Sequence, residues 1–295
     1  MSKVNVDARK RYLDVIQQYK KSIEEIQDRE NLILQVIEKD STGTEFKRLR
    51  LAEENLNILS YYVLMNELSV SLLGVKNEGF LNEARKIAYK AIIYFEQVVT
   101  NAIDLPWSEM EDKMAALSSF DYVQRWKLVV KTGFAIQSVM DGYGENTKWK
   151  WAFVELEARF ATIVKNLLNW KTLFQDSDLN AEGYEVKRNH LNLALKLLEQ
   201  SATRYRERYE LSTLRSDDFK LAIRYLGALR QVHLALNHQV EVESIKKKIE
   251  IWEQKLESDQ RRRSHGAGSL SRRSLGRLRD TARQRPPGRG ATAMG

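Results

Sequence analysis

A stripe of large apolar side chains between Trp149 and Phe174 is the feature that most constrains the fold. Its members are separated by alternating steps of four and three residues: Trp149, Phe153, Leu156, Phe160, Ile163, Leu167, Trp170 and Phe174. Such spacing gathers every member on one face of an α-helix, whereas a strand would divide them between two faces. The stripe therefore predicts a long helix with one side turned to a core.

A second stripe with the same steps occupies residues 12–37 and is interrupted only at Glu30. Its apolar members are Tyr12, Ile16, Tyr19, Ile23, Ile26, Ile33 and Ile37. This heptad pattern predicts a helix from about Val6 to Glu38. Two arrangements are open for this helix: it packs back on the rest of the chain, or it dimerises along the stripe.

Helix breakers are rare in the first 260 residues, where Pro106 is the only proline. Further helices are predicted over about Glu45–Leu73, Phe80–Ile103, Pro106 to Met140 with an interruption at Ser118–Asp121, Tyr184–Tyr209, and a last segment to Ser258 with a bend near Asn237 and His238. The predicted fold is all-α, an elongated array or bundle of about seven to eight long antiparallel helices, built from helical hairpins with coiled-coil-like packing.

The positive charge of the chain is concentrated at its C-terminus. Residues 261–295 contain ten arginines and one acid, so their net charge is +9. The net charge of the whole chain is +8, which leaves −1 for residues 1–260. We therefore predict a helical body over 1–260, with a sub-boundary near 104–107, and a disordered Arg-rich tail over 261–295. Two interpretations of the tail are open. It is a polyanion-binding arm through Arg261, Arg262, Arg263, Arg272 and Arg273, or it is a non-native extension.

No catalytic constellation is found in the sequence. Cysteine is absent, and His190, His233, His238 and His265 lack the spacing of metal ligands or of Glu-x-x-His pairs. Glycine-rich phosphate loops and nucleophile elbows are also absent. We expect no catalytic residue, no metal and no cofactor, and we predict that the protein is not an enzyme.

Three aromatic residues are candidates for binding a partner. Trp151 lies about 200° around the helix from Trp149, on a face that continues with small or polar residues. Either a second helix covers that face, or Trp151 is an exposed anchor for a partner. Tyr205 and Tyr209, four residues apart in RYRERYE, are either an aromatic anchor or ordinary core.

The location expected from the sequence is cytoplasmic, because the first residues lack a signal-peptide pattern. A periplasmic location would follow if a native leader has been removed. No membrane span is expected, and nucleic acid is not an expected partner of residues 1–260. The function predicted is a non-enzymatic structural or scaffold protein that binds protein partners, or itself, through helical surfaces. The alternative is a helical adaptor that binds nucleic acid or another polyanion through the tail.

Two segments of the sequence resemble known protein families. GENTKWKWAFVELEARFATIVKNLLNWK, from Gly144 to Lys171, resembles the all-helical flagellar coiling and sheath proteins of spirochaetes. That resemblance implies a non-enzymatic component that coats the periplasmic flagellar filament. The segment from Asp217 to Gln254 resembles a degenerate tetratricopeptide hairpin, although no 34-residue period recurs along the chain.

Overall fold

The computed structural model describes the backbone of residues 6–117, 120–145, 147–170, 173 and 183–283, and their side chains as far as Arg263. In this part of the chain the regular structure is helical and no strand occurs, which confirms the all-α prediction. The helices are α1 (Val6–Lys39), α2 (Thr44–Leu73), α3 (Glu78–Val99), α4 (Trp107–Ala116), α5 (Tyr122–Tyr143), α6 (Lys150–Asn166), α7 (Tyr184–Arg208), α8 (Ser216–Ala235) and α9 (Gln239–Arg283). A π-helical turn, Tyr209–Thr213, follows α7.

Two predicted interruptions of long helices are confirmed. Asp121 caps the start of α5, because its side chain accepts a hydrogen bond of 3.2 Å from the backbone N–H of Gln124. Asn237 adopts a left-handed conformation with φ of 59° between α8 and α9, which ends the helical path at the predicted bend. The helical path is therefore interrupted at these points.

Helix α6 is shorter than its apolar stripe. It ends at Asn166, whereas the stripe predicts a helix to Phe174, which lies outside the described residues. Leu167, which directly follows α6, and Trp170 are nevertheless buried. Apolar spacing thus identified the buried side chains from Phe153 to Trp170 but did not fix the end of the helix.

The described helices pack as an array. Helix α2 packs against α1, α3 and α5, while α3 also packs against α4, α5 and α6. Helix α6 packs against α7, and α7 packs against α8. Gly43 and Gly74, at φ of 61° and 66°, allow the tight turns on either side of α2.

Helix α1 packs on the body of the protein. Its buried Ile16, Ile23 and Ile26 form one core cluster with Ile58 and Met65 of α2. The contacts bury the apolar stripe of α1 inside the same chain. Of the two arrangements open from the sequence, packing on the body is the one that the structure has.

The interruption of the α1 stripe at Glu30 is a buried polar cluster. The Glu30 carboxylate accepts hydrogen bonds from Lys90 Nζ at 2.7 Å, Tyr94 OH at 2.8 Å and Asn55 Nδ2 at 3.0 Å. Burial alone would raise the pKa of Glu30, but these hydrogen bonds and the charge of Lys90 outweigh it and hold the pKa below its ordinary value. Glu30 therefore stays ionised and ties α1 to both α2 and α3.

Helix α2 is long and apolar enough to cross a membrane, by length and composition alone. A core helix can have the same length and composition. In this structure α2 packs against α1, α3 and α5.

The chain divides into two compact units, Met1–Ile245 and Lys246–Gly295. Residues 104–107, the predicted sub-boundary, connect α3 to α4 inside the first unit. The described backbone of α9 is helical to Arg283, and the predicted domain division, with a tail over 261–295, stays a prediction. Extending an existing helix avoids the cost of nucleating a new one, which favours helix in a sequence with few apolar residues.

Candidate functional site

The two tryptophans at the start of α6 are both half-buried. Trp149 is the N-cap residue of α6, and the Arg85 guanidinium lies 3.8 Å from the centre of the Trp149 ring. The Trp151 ring lies 5.2 Å from Lys150 Nζ. Trp149 was expected in the core, but its position before the helix leaves part of the ring in solvent. Trp151 keeps part of its ring accessible to a partner.

The face of α6 beyond Trp151 is covered by helix α8. Ala158 and Thr162 on that face are buried. The Tyr225 hydroxyl donates a hydrogen bond of 2.7 Å to the Ala158 carbonyl and lies 2.9 Å from Thr162 Oγ1. A second helix therefore covers the small and polar face, as one of the two alternatives predicted, and only the N-terminal end of that face reaches solvent.

Tyr205 and Tyr209 lie in the core. The Tyr205 ring stacks on Tyr225 with a centroid distance of 5.8 Å, and the Tyr209 ring stacks on Phe219 at 4.8 Å. Both tyrosines are buried, so neither presents a surface to a partner. This corrects their candidacy as partner anchors. Sequence could not decide between the two alternatives because the stacking partners belong to α8.

The candidate polyanion-binding arginines lie on α9. Arg261, Arg262 and Arg263 are exposed, and Arg261 Nη2 donates to Glu257 Oε2 at 3.4 Å. Arg272 and Arg273 lie within the helical backbone, and their side chains are outside the described residues. Arg261, Arg262 and Arg263 are therefore in a position to meet an anion in solvent.

Two features of the described side chains bear on metal binding and on catalysis. No group of three or more His, Asp or Glu side chains in this part of the chain could hold a metal ion. Burial lowers the pKa of Lys165 to about 8, although the negative charge of Asp104 raises it in part. The amine itself is enclosed in the core, where its Nζ lies 3.5 Å from Met110 Sδ. A buried amine of this kind lacks the open approach that a nucleophilic lysine needs.

A row of exposed side chains that includes a phenylalanine lies on α5. Its solvent face carries Val123, Lys127, Val130 and Phe134, again with steps of four, three and four residues. Phe134 is 74% exposed and Val130 is 46% exposed. We call these four residues the α5 ridge. Exposed aromatic and aliphatic side chains aligned along a helix are typical of surfaces that bind a partner.

A cavity of about 440 Å³ lies beside the ridge, between α2 and α5. The Phe46 ring contacts the Phe120 ring at 5.8 Å, and Lys131 donates a hydrogen bond of 2.8 Å to Asn57. The two contacts are eleven residues apart on each side and follow the same order, so the two segments run parallel here. We call this cavity the α2–α5 pocket. Its lining residues are Phe46, Leu49, Arg50, Glu53, Phe120, Gln124, Lys127, Leu128 and Lys131.

Sequence reasoning missed the α5 ridge. The segment YVQRWKLVVKTGFAIQSVM holds apolar residues on more than one helical face, and no surface role was predicted for it. Buried Val129, Ile136 and Val139 supply the core-facing side, which leaves Val130 and Phe134 unaccounted for. A second apolar stripe on a helix that already has a core face is the signal that would have found it.

The comparison with protein families matches residues 8–260 to the TP0443 family, whose name derives from Treponema. No curated protein and no solved structure matches the chain. The name is consistent with a spirochaetal protein, and neither a flagellar nor a tetratricopeptide family is shown. The matched range ends at residue 260, where the composition changes to the Arg-rich segment. Because the match extends over most of its length, the chain belongs to the TP0443 family.

Proposed function

We propose that this protein is a non-enzymatic structural or scaffold protein that acts by binding another protein through helical surfaces. The observation that carries the proposal is the α5 ridge. Phe134 and Val130 lie one helical turn apart and keep large apolar surfaces in solvent. Burying such side chains against a partner would stabilise a complex, since truncation of an interface hot spot costs about 2 kcal/mol or more.

The partly exposed Trp151 supports the same function as a second contact point. It lies at the N-terminal end of α6, at the edge of a face that α8 otherwise covers. Tryptophan combines a large apolar area with an N–H donor, which makes it a frequent interface residue. We assign it a secondary role because its ring is partly buried in the protein itself.

As the finer setting we propose a spirochaetal flagellar assembly. The family match is consistent with a spirochaetal protein, and the resemblance at Gly144–Lys171 suggests the flagellum. This setting requires that the protein is exported to the periplasm. Fractionation of the source cells tests it: recovery of the protein with the flagellar filament is the expected result, and recovery only in the cytoplasm contradicts the flagellar setting.

The scaffold proposal is tested with a paired substitution on the ridge and a matched pair elsewhere. The test variant is Val130→Ser with Phe134→Ser, and the control is Leu32→Ser with Val36→Ser on α1. The control residues are also four apart on a helix and are 61% and 48% exposed. Partners are captured by cross-linking, and self-association is measured by sedimentation. We expect the affinity of either interaction to fall about 30-fold for the ridge variant only. Equal binding by both variants and the unchanged chain would contradict the proposal.

A second candidate function is polyanion binding through the C-terminal arginines. The exposure of Arg261, Arg262 and Arg263 on α9 supports it. Phosphate contacts made by arginine give an affinity that falls steeply as salt concentration rises. The expected result is salt-dependent binding to nucleic acid or heparin that disappears when residues 261–295 are removed, whereas binding that survives this removal would overturn the assignment.

A further inference from the structure

The α2–α5 pocket has an apolar floor. The rings of Phe46 and Phe120 meet edge to face with centroids 5.8 Å apart, and the buried Leu49 and Leu128 lie beside them. A volume of about 440 Å³ accommodates one or two large side chains. The floor is therefore suited to an aromatic or branched apolar group rather than to a hydrated ion.

The rim of the pocket is positively charged. Arg50, Lys127 and Lys131 line it together with a single acid, Glu53. Glu53 is already engaged, because it accepts from Arg50 Nη1 at 2.9 Å and from Lys131 Nζ at 3.3 Å. Lys127 is exposed and makes no ion pair or hydrogen bond with any residue that the structure describes. A ligand with carboxylates would therefore find an uncommitted cation at the mouth of an apolar pocket.

The apolar surface continues beyond the pocket along α5. Phe134 lies seven residues after Lys127, which corresponds to about 10 Å along the helix axis. A small amphiphile confined to the pocket would leave Val130 and Phe134 in water. A polypeptide segment covers both features at once, because its successive side chains reach the pocket and the ridge together.

We propose that the α2–α5 pocket and the α5 ridge bind an acidic segment of a partner protein. One large apolar side chain of this segment enters the pocket, its carboxylates face Lys127 and Lys131, and further apolar side chains pack on Val130 and Phe134. This assignment rests on the proposed scaffold function and names its partner chemistry. Apolar burial supplies most of the affinity, while the basic rim selects acidic over basic segments.

The assignment is tested by selecting binders from a random 12-residue peptide library displayed on phage, with the full chain as the target. Two variants report the position of each selected peptide: Phe134→Ser on the ridge and Lys127→Glu on the rim. Lys20→Glu, an exposed lysine on α1, is the matched charge control. Far-ultraviolet circular dichroism and urea unfolding establish that each variant is folded before binding is measured by fluorescence anisotropy.

The expected result is a set of peptides that combine several Asp or Glu residues with a large apolar residue. Their affinity should fall at least 10-fold in Phe134→Ser and in Lys127→Glu, remain unchanged in Lys20→Glu, and weaken with added salt. Peptides that are neutral or basic and depend on Phe134 but not on Lys127 would overturn the partner chemistry while leaving the scaffold function standing.

Two other outcomes would contradict more than the partner chemistry. If no selected peptide depends on Phe134 or Lys127, both the acidic-segment assignment and the use of the ridge in the proposed function fail. If the full chain forms a dimer that Phe134→Ser converts to monomer, the occupant of the ridge is a second copy of this chain. In that case the acidic-segment assignment is wrong and self-association takes its place.

Discussion

At the scale of single residues, His190 is held neutral by its surroundings. Its Nε2 lies 2.9 Å from the Val164 carbonyl, which only accepts, so Nε2 carries the hydrogen. The other ring nitrogen, Nδ1, then accepts from the Tyr122 hydroxyl at 3.2 Å. Burial lowers the pKa of His190 to about 4; the Val164 contact opposes this shift and the charge of Arg125 adds to it.

This geometry predicts a loss of stability in mild acid. The unfolded chain binds a proton at His190 below pH 6.5, whereas the folded chain does so only near pH 4, so stability falls as the pH drops between these values. Between pH 7 and pH 5 we expect His190 to account for a loss of about 2 kcal/mol. Urea unfolding of the unchanged chain and of His190→Gln at both pH values measures it, and equal pH dependence in the two proteins would contradict the assignment.

Thr100 is the second residue whose environment leads to a prediction. It follows α3 with φ of 76° and ψ of 158°, a conformation that is essentially reserved for glycine. Its N–H donates to the Glu96 carbonyl at 2.7 Å, and the buried Asn166 amide donates to its carbonyl oxygen at 3.3 Å. These contacts fix the turn between α3 and α4 although the side chain of Thr100 disfavours it.

We predict that Thr100→Gly stabilises the protein by about 1 kcal/mol. Removing the Cβ relieves a backbone strain of about 1–3 kcal/mol, and the greater freedom of glycine in the unfolded chain offsets part of the gain. Thr100→Ala is the control, because alanine keeps the Cβ and so keeps the strain. Thermal and urea unfolding of both variants test the prediction; a gain of the same size in Thr100→Ala would show that strain at this residue is not the cause.

At the scale of helices, the attachment of α1 depends on Glu30. We predict that Glu30→Ala lowers the free energy of unfolding by about 3 kcal/mol, because removing one partner of a buried ion pair leaves the others without compensation. Lys90 is 44% exposed at its side chain, which places the effect at the lower end of the range for buried pairs. Hydrogen exchange should accelerate in α1 before it does in α2.

The control for this prediction is Glu24→Ala, which removes a carboxylate from the exposed side of the same helix. It should change the unfolding free energy by no more than about 0.5 kcal/mol. If Glu30→Ala and Glu24→Ala behaved alike, α1 would be held by its isoleucines alone and the polar cluster would contribute nothing measurable.

The sequence predicted those parts of each helix that depend on a single periodic pattern. Both stripes identified buried side chains, including Ile16, Ile23 and Phe153. Contacts between distant segments could not be predicted from a periodic pattern. Glu30 was an unexplained interruption of the apolar stripe of α1, because its partner Tyr94 lies 64 residues away. The second apolar stripe of α5 is visible in the sequence, but only tertiary packing decides which of the two apolar faces is buried.

At the scale of the whole molecule, the family match ends where the composition of the chain changes to the Arg-rich segment. The match stops at residue 260, and the side chains of Arg261, Arg262 and Arg263 are exposed. Removing residues 261–295 also removes a charge of +9 and leaves a body of charge −1. Folding stability and polyanion binding should therefore respond differently to this truncation.

We predict that a chain ending at Gln260 unfolds with the same urea dependence as the full chain, within about 0.5 kcal/mol. Its retention on heparin at low salt should be lost, because the near-neutral body lacks the charge that attracts a polyanion. Replacing Arg261, Arg262 and Arg263 with Gln in the full chain separates charge from length and should lower the elution salt only in part. A marked fall in stability on truncation would mean that residues 261–295 support the fold, and retention by the truncated chain would place the polyanion site in the body.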